Sequence, residues 1–153
     1  VAQNETIKIK FEVDVNPPAY AGFEHKYRLM PVPYEVNMYD LPSLFAGKIH
    51  AVICRTWQNR IKGRDLYDYI FYLSKGAAVN QKHLRQRLLQ SGFITPSVEC
   101  TLPEIKEMLC ERFDQIDYAQ AKADVEPFIR NPSVLNIWSA DFFKQITESL
   151  ADK

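Results

Sequence analysis

The sequence predicts an α+β fold, in which a few strands at the N-terminal end pack against a larger, mostly helical portion. Two patterns in the chain and its size predict this class. Residues 1–40 alternate apolar and polar side chains or are broken by prolines, as short strands are. Residues 41–153 carry apolar side chains at helical spacing between capping residues. With 153 residues, 46% of them apolar and 25% charged, the chain fits a single domain with one core.

The clearest strand pattern runs from Ile7 to Val15, where apolar and polar residues alternate without a fault. One face of this strand is therefore expected to be buried, and the other holds Glu12 and Asp14 side by side. A solvated face is the simplest interpretation of these two carboxylates. A second strand is predicted from Tyr34 to Tyr39, and the weak pattern over 19–30 fits a loop and a strand.

Helices are predicted wherever a capping residue precedes an apolar stripe. Asp40 can cap the first, Thr101 and Glu104 have capping-box spacing, and Gly76 stands where a left-handed residue ends a helix. The second helix is aromatic on most faces, which indicates a central place in the core. The predicted helices span Leu41 to Trp57, Arg64 to Lys75, Asn80 to Ser91, Thr101 to Asp114, Asp117 to Phe128 and Ser139 to Leu150.

The formal charge is zero, with 19 residues of each sign, so an anion site would have to come from local clustering. No apolar run approaches the length of a membrane span and no signal-peptide pattern opens the chain, which favours a cytoplasmic protein. A small basic patch is interpreted as a solvated face: Lys82, Arg85 and Arg87. The cysteines have no metal-binding spacing and are expected to be reduced, buried thiols: Cys54, Cys100 and Cys110.

The chemical centre of the chain is the stretch from Lys48 to Asp68. In a helix Lys48 and Arg55 lie seven residues apart and project from one face. Asp65 and Asp68 share a face of the next helix, where interaction with the helix dipole is the simplest explanation for two acids. A cation pair and a carboxylate pair on adjacent helices can hold a polyphosphate and its metal, or can neutralise each other.

Three pieces of the chain stand in one order: I-K-F-E-V at Ile9 to Val13, K-I-H-A-V-I-C-R at Lys48 to Arg55, and D-L-Y-D at Asp65 to Asp68. Together they resemble the second, third and fourth motifs of the AbiEii/AbiGii toxin family, nucleotidyltransferases of bacterial abortive-infection toxin–antitoxin systems. The segments L-P-S-L-F-A-G-K-I, A-D-V-E-P-F-I and L-N-I-W-S-A-D-F-F also resemble that family. The resemblance therefore covers nearly the whole chain.

The resemblance implies metal-dependent transfer of a nucleotide from a nucleoside triphosphate to an acceptor hydroxyl, with pyrophosphate leaving. It also implies Mg²⁺ as cofactor, an RNA such as transfer RNA as one possible acceptor, and a cognate antitoxin as partner. Carried over by position, it makes Glu12, Asp65 and Asp68 catalytic, Lys48, Arg55 and Arg64 nucleotide-binding, and Glu12 with Asp14 metal-binding.

The family's first motif, a Gly-Ser turn followed by paired aspartates, is missing, since none of the five glycines precedes a serine. We expect it in an upstream segment, so that this chain alone is inactive. Two alternatives stay open: a non-catalytic domain of this fold that binds a protein partner, and an unrelated helical protein whose charges merely pair. An exposed edge of the first strand would favour a homodimer.

Overall fold

The computed structural model describes residues 8–55 and 62–152 and has the predicted α+β fold. Two strands, β1 (Phe23–Arg28) and β2 (Tyr34–Tyr39), form an antiparallel sheet. The α-helices are α1 (Leu41–Cys54), α2 (Gly63–Ser74), α3 (Gln81–Gln90), α4 (Leu102–Asp114), α5 (Tyr118–Val125) and α6 (Ala140–Thr147), with 3₁₀ helices at Glu126–Phe128 and Pro132–Ile137. Among these helices of the described ranges, none is long and apolar enough to cross a bilayer.

The sheet is small and largely exposed, and it is anchored to the helices at one end. Phe23 pairs with Tyr39 in the ladder, and their ring centroids lie 5.0 Å apart. The Tyr39 ring in turn lies 5.8 Å from the ring of His83 on α3. The predicted strand Tyr34–Tyr39 is thereby confirmed with its bounds.

The strand predicted from Ile7 to Val15 is wrong over its described part. Residues 8–15 form no strand, and their apolar side chains are exposed, Phe11 at 89% and Val15 at 92%. Alternation creates an apolar face, but a strand also needs a neighbour to bond and a core to cover that face. Among the described residues, β1 and β2 pair only with each other. Ile7 lies outside the described residues.

The helix starts follow the predicted caps because capping depends on residues close in sequence. Asp40 accepts a hydrogen bond from Ser43 N at 2.9 Å, and Thr101 forms the capping box with Glu104. The C-terminal ends differ more. Helix α1 ends at Cys54, while Trp57, its predicted end, lies outside the described residues.

Helices α2 and α3 end one residue before their predicted ends, at Ser74 and Gln90, and two further helices end three residues early. Helix α5 stops at Val125 rather than Phe128, and a 3₁₀ turn follows in which Pro127 has no amide hydrogen to continue the α-helix. Helix α6 stops at Thr147 rather than Leu150. Helix α2 begins at Gly63, one residue earlier than predicted.

A row of fully buried aromatic rings runs through the core and joins four helices, α1, α2, α4 and α6. Phe45, Tyr69, Phe113 and Phe143 follow one another with centroids 5.7, 5.7 and 5.1 Å apart. Such contacts stabilise beyond the burial of area alone. The Tyr69 hydroxyl shares a hydrogen bond of 2.7 Å with Thr147 Oγ1, which satisfies its polar end.

The central position predicted for α2 is only partly correct, because Leu66 and Tyr69 are buried but Tyr67 and Phe71 on its other side are 49% and 46% exposed. The three cysteines are unpaired, and of them Cys100 is buried as predicted while Cys54 and Cys110 are half-buried.

Candidate functional site

Two ion pairs join α1 to α2. Lys48 Nζ lies 2.6 Å from Asp68 Oδ2, and Arg55 Nη1 donates to both oxygens of Asp65, at 3.1 and 3.2 Å. The Asp65 side chain is 2% exposed, whereas that of Arg55 is 45% exposed. The structure therefore brings together four residues that the sequence singled out.

The pairing follows from the antiparallel arrangement of the two helices. Arg55, the residue that follows α1, comes seven residues after Lys48, and this later cation meets the earlier carboxylate of α2. A carboxylate as buried as Asp65 needs such a partner, because an unpaired charge in the interior is strongly destabilising. Gly63 permits the position of α2, since a Cβ there would lie 1.9 Å from the Ala121 carbonyl oxygen of α5.

A third cation, Arg87 of α3, lines the same cleft as Lys48, Arg55 and Asp65. The cleft has a volume of about 220 Å³. In the described part of the chain, no carboxylate lies within ion-pair distance of the Arg87 guanidinium. The interpretation of Arg87 as part of a solvated basic face is corrected, because the contact between α1 and α3 turns it toward the cleft.

Arg87 is held in place by His83, one helical turn earlier on α3. Arg87 Nε donates to His83 Nε2 at 3.0 Å, so the proton of the imidazole lies on Nδ1, which donates to the Ala19 carbonyl at 2.8 Å. His83 is fully buried, and this burial lowers its pKa. A neutral imidazole can accept from Arg87, and it thereby fixes the direction of the guanidinium. The i, i+4 spacing of a histidine and an arginine is the sequence signal that could have indicated this pair.

His50 of α1 lies on the other side of Arg87. It lines a cavity of about 320 Å³ together with Asp14, Arg87 and Ser91. Its Nε2 is buried and accepts no hydrogen bond from any of the described residues. Burial, followed by the positive charges of Arg87 and Arg55, lowers the pKa of His50 to about 4. His50 is therefore neutral at physiological pH.

The low pKa of His50 predicts that acid destabilises the fold. Below about pH 6.5 the unfolded chain binds a proton at His50, whereas the folded chain binds it only near pH 4, so the free energy of unfolding falls as the pH decreases through this window. For a half-buried group we expect a loss on the order of 1–2 kcal/mol. Urea unfolding at pH 7.5 and at pH 4.5 measures this loss in the free energy of unfolding. The loss should be smaller in the His50→Gln chain. An equal loss in the His50→Gln chain would contradict this assignment, since only the contributions of the other groups with lowered pKa, His83 and Glu104, both of the same sign, should remain.

The other residues predicted for the site lie elsewhere. Arg64 is exposed and lines a separate cavity of about 570 Å³. Asp14 lines the cavity of His50, so Arg87 separates it from the cleft. Glu12 is exposed and forms an ion pair with Lys10, and none of its contacts in the described ranges reaches Lys48 or Asp65. The catalytic and metal-binding roles of these residues stay predictions.

The described residues do not by themselves fit a pair of magnesium ions. No group of three His, Cys, Asp or Glu side chains within 8–55 and 62–152 is placed to hold a metal. Asp65 and Asp68 each already face a cation. We therefore assign no chemical step to a metal ion bound by these side chains.

Lys48 and Arg55 are each paired with one aspartate of the D-L-Y-D motif, so the residues of two of the resembling motifs lie together in the structure. The chain belongs to the family of the nucleotidyl transferase AbiEii toxin of type IV toxin–antitoxin systems, whose family model matches residues 1–144. The resemblance found in the motifs is thus confirmed. No curated protein and no solved structure matches the chain.

Proposed function

We propose that the cleft between α1, α2 and α3 binds the triphosphate of a nucleoside triphosphate, and that this site, when completed by the family's first motif, transfers the nucleotide to an acceptor hydroxyl with release of pyrophosphate. The observation that supports this proposal is the convergence of Lys48, Arg55 and Arg87 on one cleft. Three cations on rigid helices match the charge of a polyphosphate better than they match the two carboxylates beside them.

The ion pairs can persist while the phosphates bind. Arg55 uses only Nη1 for Asp65, which leaves its other nitrogens to donate to phosphate oxygens. Lys48 has three donors, and Asp68 takes one of them. The carboxylates therefore orient the two cations toward the cleft. Positive groups held in this way stabilise the charge that develops on the leaving pyrophosphate.

Mg²⁺ is proposed to accompany the nucleotide, because this ion is commonly held by substrate phosphates together with one or two carboxylates. Glu12 and Asp14 are retained as proposed ligands. The paired aspartates of the first motif are absent from the 153 residues, so we expect this chain to bind nucleotide without transferring it. A homodimer stays a prediction, although residues 8–15 form no strand whose edge could pair with a second copy.

Membership of a type IV toxin–antitoxin family suggests a cognate antitoxin as partner. We propose that the reaction takes place in the cytoplasm, with an RNA such as transfer RNA as acceptor. The alternative, a domain of this fold that only binds a protein partner, would explain the missing aspartates and predicts no affinity for nucleoside triphosphates.

Replacement of Arg87 tests the proposed function because this cation does not belong to an ion pair of the described residues. We expect Arg87→Gln to weaken the binding of a nucleoside triphosphate by about 10-fold, through loss of one charged hydrogen-bonding group. Isothermal titration calorimetry on the 153-residue chain measures it. The matched control is Lys82→Gln, which removes an exposed charge from the same helix outside the cleft. A chain that binds no triphosphate, or an Arg87→Gln chain that binds it as tightly as before, would contradict the proposal.

A further inference from the structure

We propose that a cavity between α2 and α5 binds a nucleobase. This cavity, called the α2–α5 cavity, is lined by Lys62, Arg64, Tyr67, Asp68 and Phe128, among others. Its volume of about 570 Å³ lies within the range of small-molecule sites. The inference rests on the proposed function, because it places the base of a nucleotide next to the cleft that would hold its phosphates.

The cavity and the cleft meet at one ion pair. Asp68 lines the cavity, and its partner Lys48, 2.6 Å away, lines the cleft. A ligand whose phosphates contact Lys48 therefore has the cavity directly beside it. The two spaces together can hold a molecule with an anionic part and a planar part, as nucleotides are.

Two aromatic side chains make the cavity suitable for a base. Tyr67 of α2 is 49% exposed, and Phe128 of the 3₁₀ turn after α5 is 87% exposed. Much of each ring is therefore accessible to a ligand. Exposed aromatic rings beside basic groups are the usual stacking surfaces for bases, because every base has a π face. Val125 and Ile129 add apolar side chains to the wall of the cavity.

Charged groups of both signs line the same cavity, namely Lys62 and Arg64 with Asp68 and Asp124. In the described part of the chain, no carboxylate is within ion-pair distance of the Arg64 guanidinium, which lines the cavity beside Tyr67. A guanidinium can stack on a base or contact a phosphate. A purely apolar ligand would take water from the Arg64 guanidinium without replacing its hydrogen bonds, and a free phosphate would make no use of the two rings. A nucleobase with its attached phosphate uses both.

The walls are fixed by direct contacts between the helices. Gly63 N of α2 donates to Asp124 Oδ2 of α5 at 3.3 Å, and Gln120 Nε2 donates to the other oxygen at the same distance. The backbone of α2 also approaches α5 closely at Gly63. The cavity is therefore formed before a ligand enters, which lowers the free-energy cost of binding.

The base can come from the nucleoside triphosphate or from the acceptor strand. Calorimetry with three probes distinguishes these sources: inorganic triphosphate, each of the four ribonucleoside triphosphates, and a six-nucleotide single-stranded RNA. The variants are Phe128→Ala and Tyr67→Ala, both at exposed positions. Phe93→Ala, a ring of 49% exposure outside the cavity, is the matched control.

We expect Phe128→Ala and Tyr67→Ala each to weaken the binding of at least one base-containing probe. The expected factor is roughly 5- to 150-fold, the usual range for loss of a stacking ring. The affinity of these variants for inorganic triphosphate should be unchanged. The control chain Phe93→Ala should bind every probe as tightly as the unsubstituted chain does. A loss for the ribonucleoside triphosphates assigns the cavity to the base of the donor nucleotide, and a loss for the RNA alone assigns it to the acceptor; either supports the inference.

The inference is overturned if both variants bind every base-containing probe as tightly as the unsubstituted chain, or if no such probe binds more tightly than inorganic triphosphate. In both cases the proposed function can stand. Failure of inorganic triphosphate itself to bind would instead contradict the cleft, and the results with RNA would still decide whether the cavity takes a base.

Discussion

Gly63→Ala is expected to lower the free energy of unfolding by about 3 kcal/mol, at the upper end of the usual effect of overpacking. A Cβ at this position would lie 1.9 Å from the Ala121 carbonyl oxygen and 2.9 Å from its carbon. Both atoms belong to the backbone of α5, so no side-chain rotation can relieve the contact. Helix α2 must move away from α5, and it carries Asp65 and Asp68 with it.

Gly47→Ala is the matched control, because it is the same substitution in a helix without the close approach. The nearest atom to a Cβ at Gly47 would be Arg87 Cζ, at 3.6 Å, an ordinary contact. We expect this variant to be unchanged or more stable by roughly 0.5–1 kcal/mol, since alanine favours the helix interior. Urea unfolding of the two variants and the parent measures the difference. Equal stabilities of Gly63→Ala and the parent would show that α2 and α5 are not packed as described.

Local features of this fold could be predicted from the sequence because they depend on residues within one turn of each other. The capping side chains of Asp40, Asn80, Thr101, Asp117 and Ser139 mark the starts of five of the helices. Helix ends were less predictable, as at Val125, because they depend on where packing stops as well as on Pro127. The fold class followed from these local signals together.

The site was predictable in part for a related reason. Lys48, Arg55, Asp65 and Asp68 lie in two consecutive helices, so spacing and chain order placed them on facing sides. Arg87 comes from a third helix, and its place beside Lys48 depends on how α3 packs against α1. The spacing of residues along the sequence does not show how these two helices pack against each other. Only the structure therefore shows a third cation in the cleft.

Residues 8–15 show where prediction from a local pattern fails. Their alternation satisfies the local requirement for a strand, yet Ile9, Phe11, Val13 and Val15 stay exposed because a strand is completed by partners far away in sequence. For Glu12 the consequence is that its predicted catalytic role has support from the family resemblance alone. Asp65, in contrast, lines the cleft and pairs with Arg55, while its catalytic role stays a prediction.

Exchange of the charges of the Lys48–Asp68 pair is expected to abolish most of the affinity for triphosphate while the fold persists. In the double variant Lys48→Glu/Asp68→Lys an ion pair can still form between α1 and α2, so the free energy of unfolding should change by less than about 1 kcal/mol. The cleft, however, would present a carboxylate where it now presents an ammonium group. Loss of one charge-assisted contact and gain of one repulsion predict binding weaker by roughly 100-fold or more.

Calorimetry with inorganic triphosphate and urea unfolding of the same preparations separate the two effects. The matched control exchanges Lys144 and Asp114, a pair of equal distance, 2.6 Å, that joins α6 to α4 away from the cleft. The double variant Lys144→Asp/Asp114→Lys should keep both stability and triphosphate affinity. If the charges of α1 and α2 merely neutralise each other, exchange of Lys48 and Asp68 will leave binding unchanged as well. Reduced affinity in this variant alone would therefore mean that the cleft uses Lys48 as a phosphate ligand, beyond its part in joining two helices.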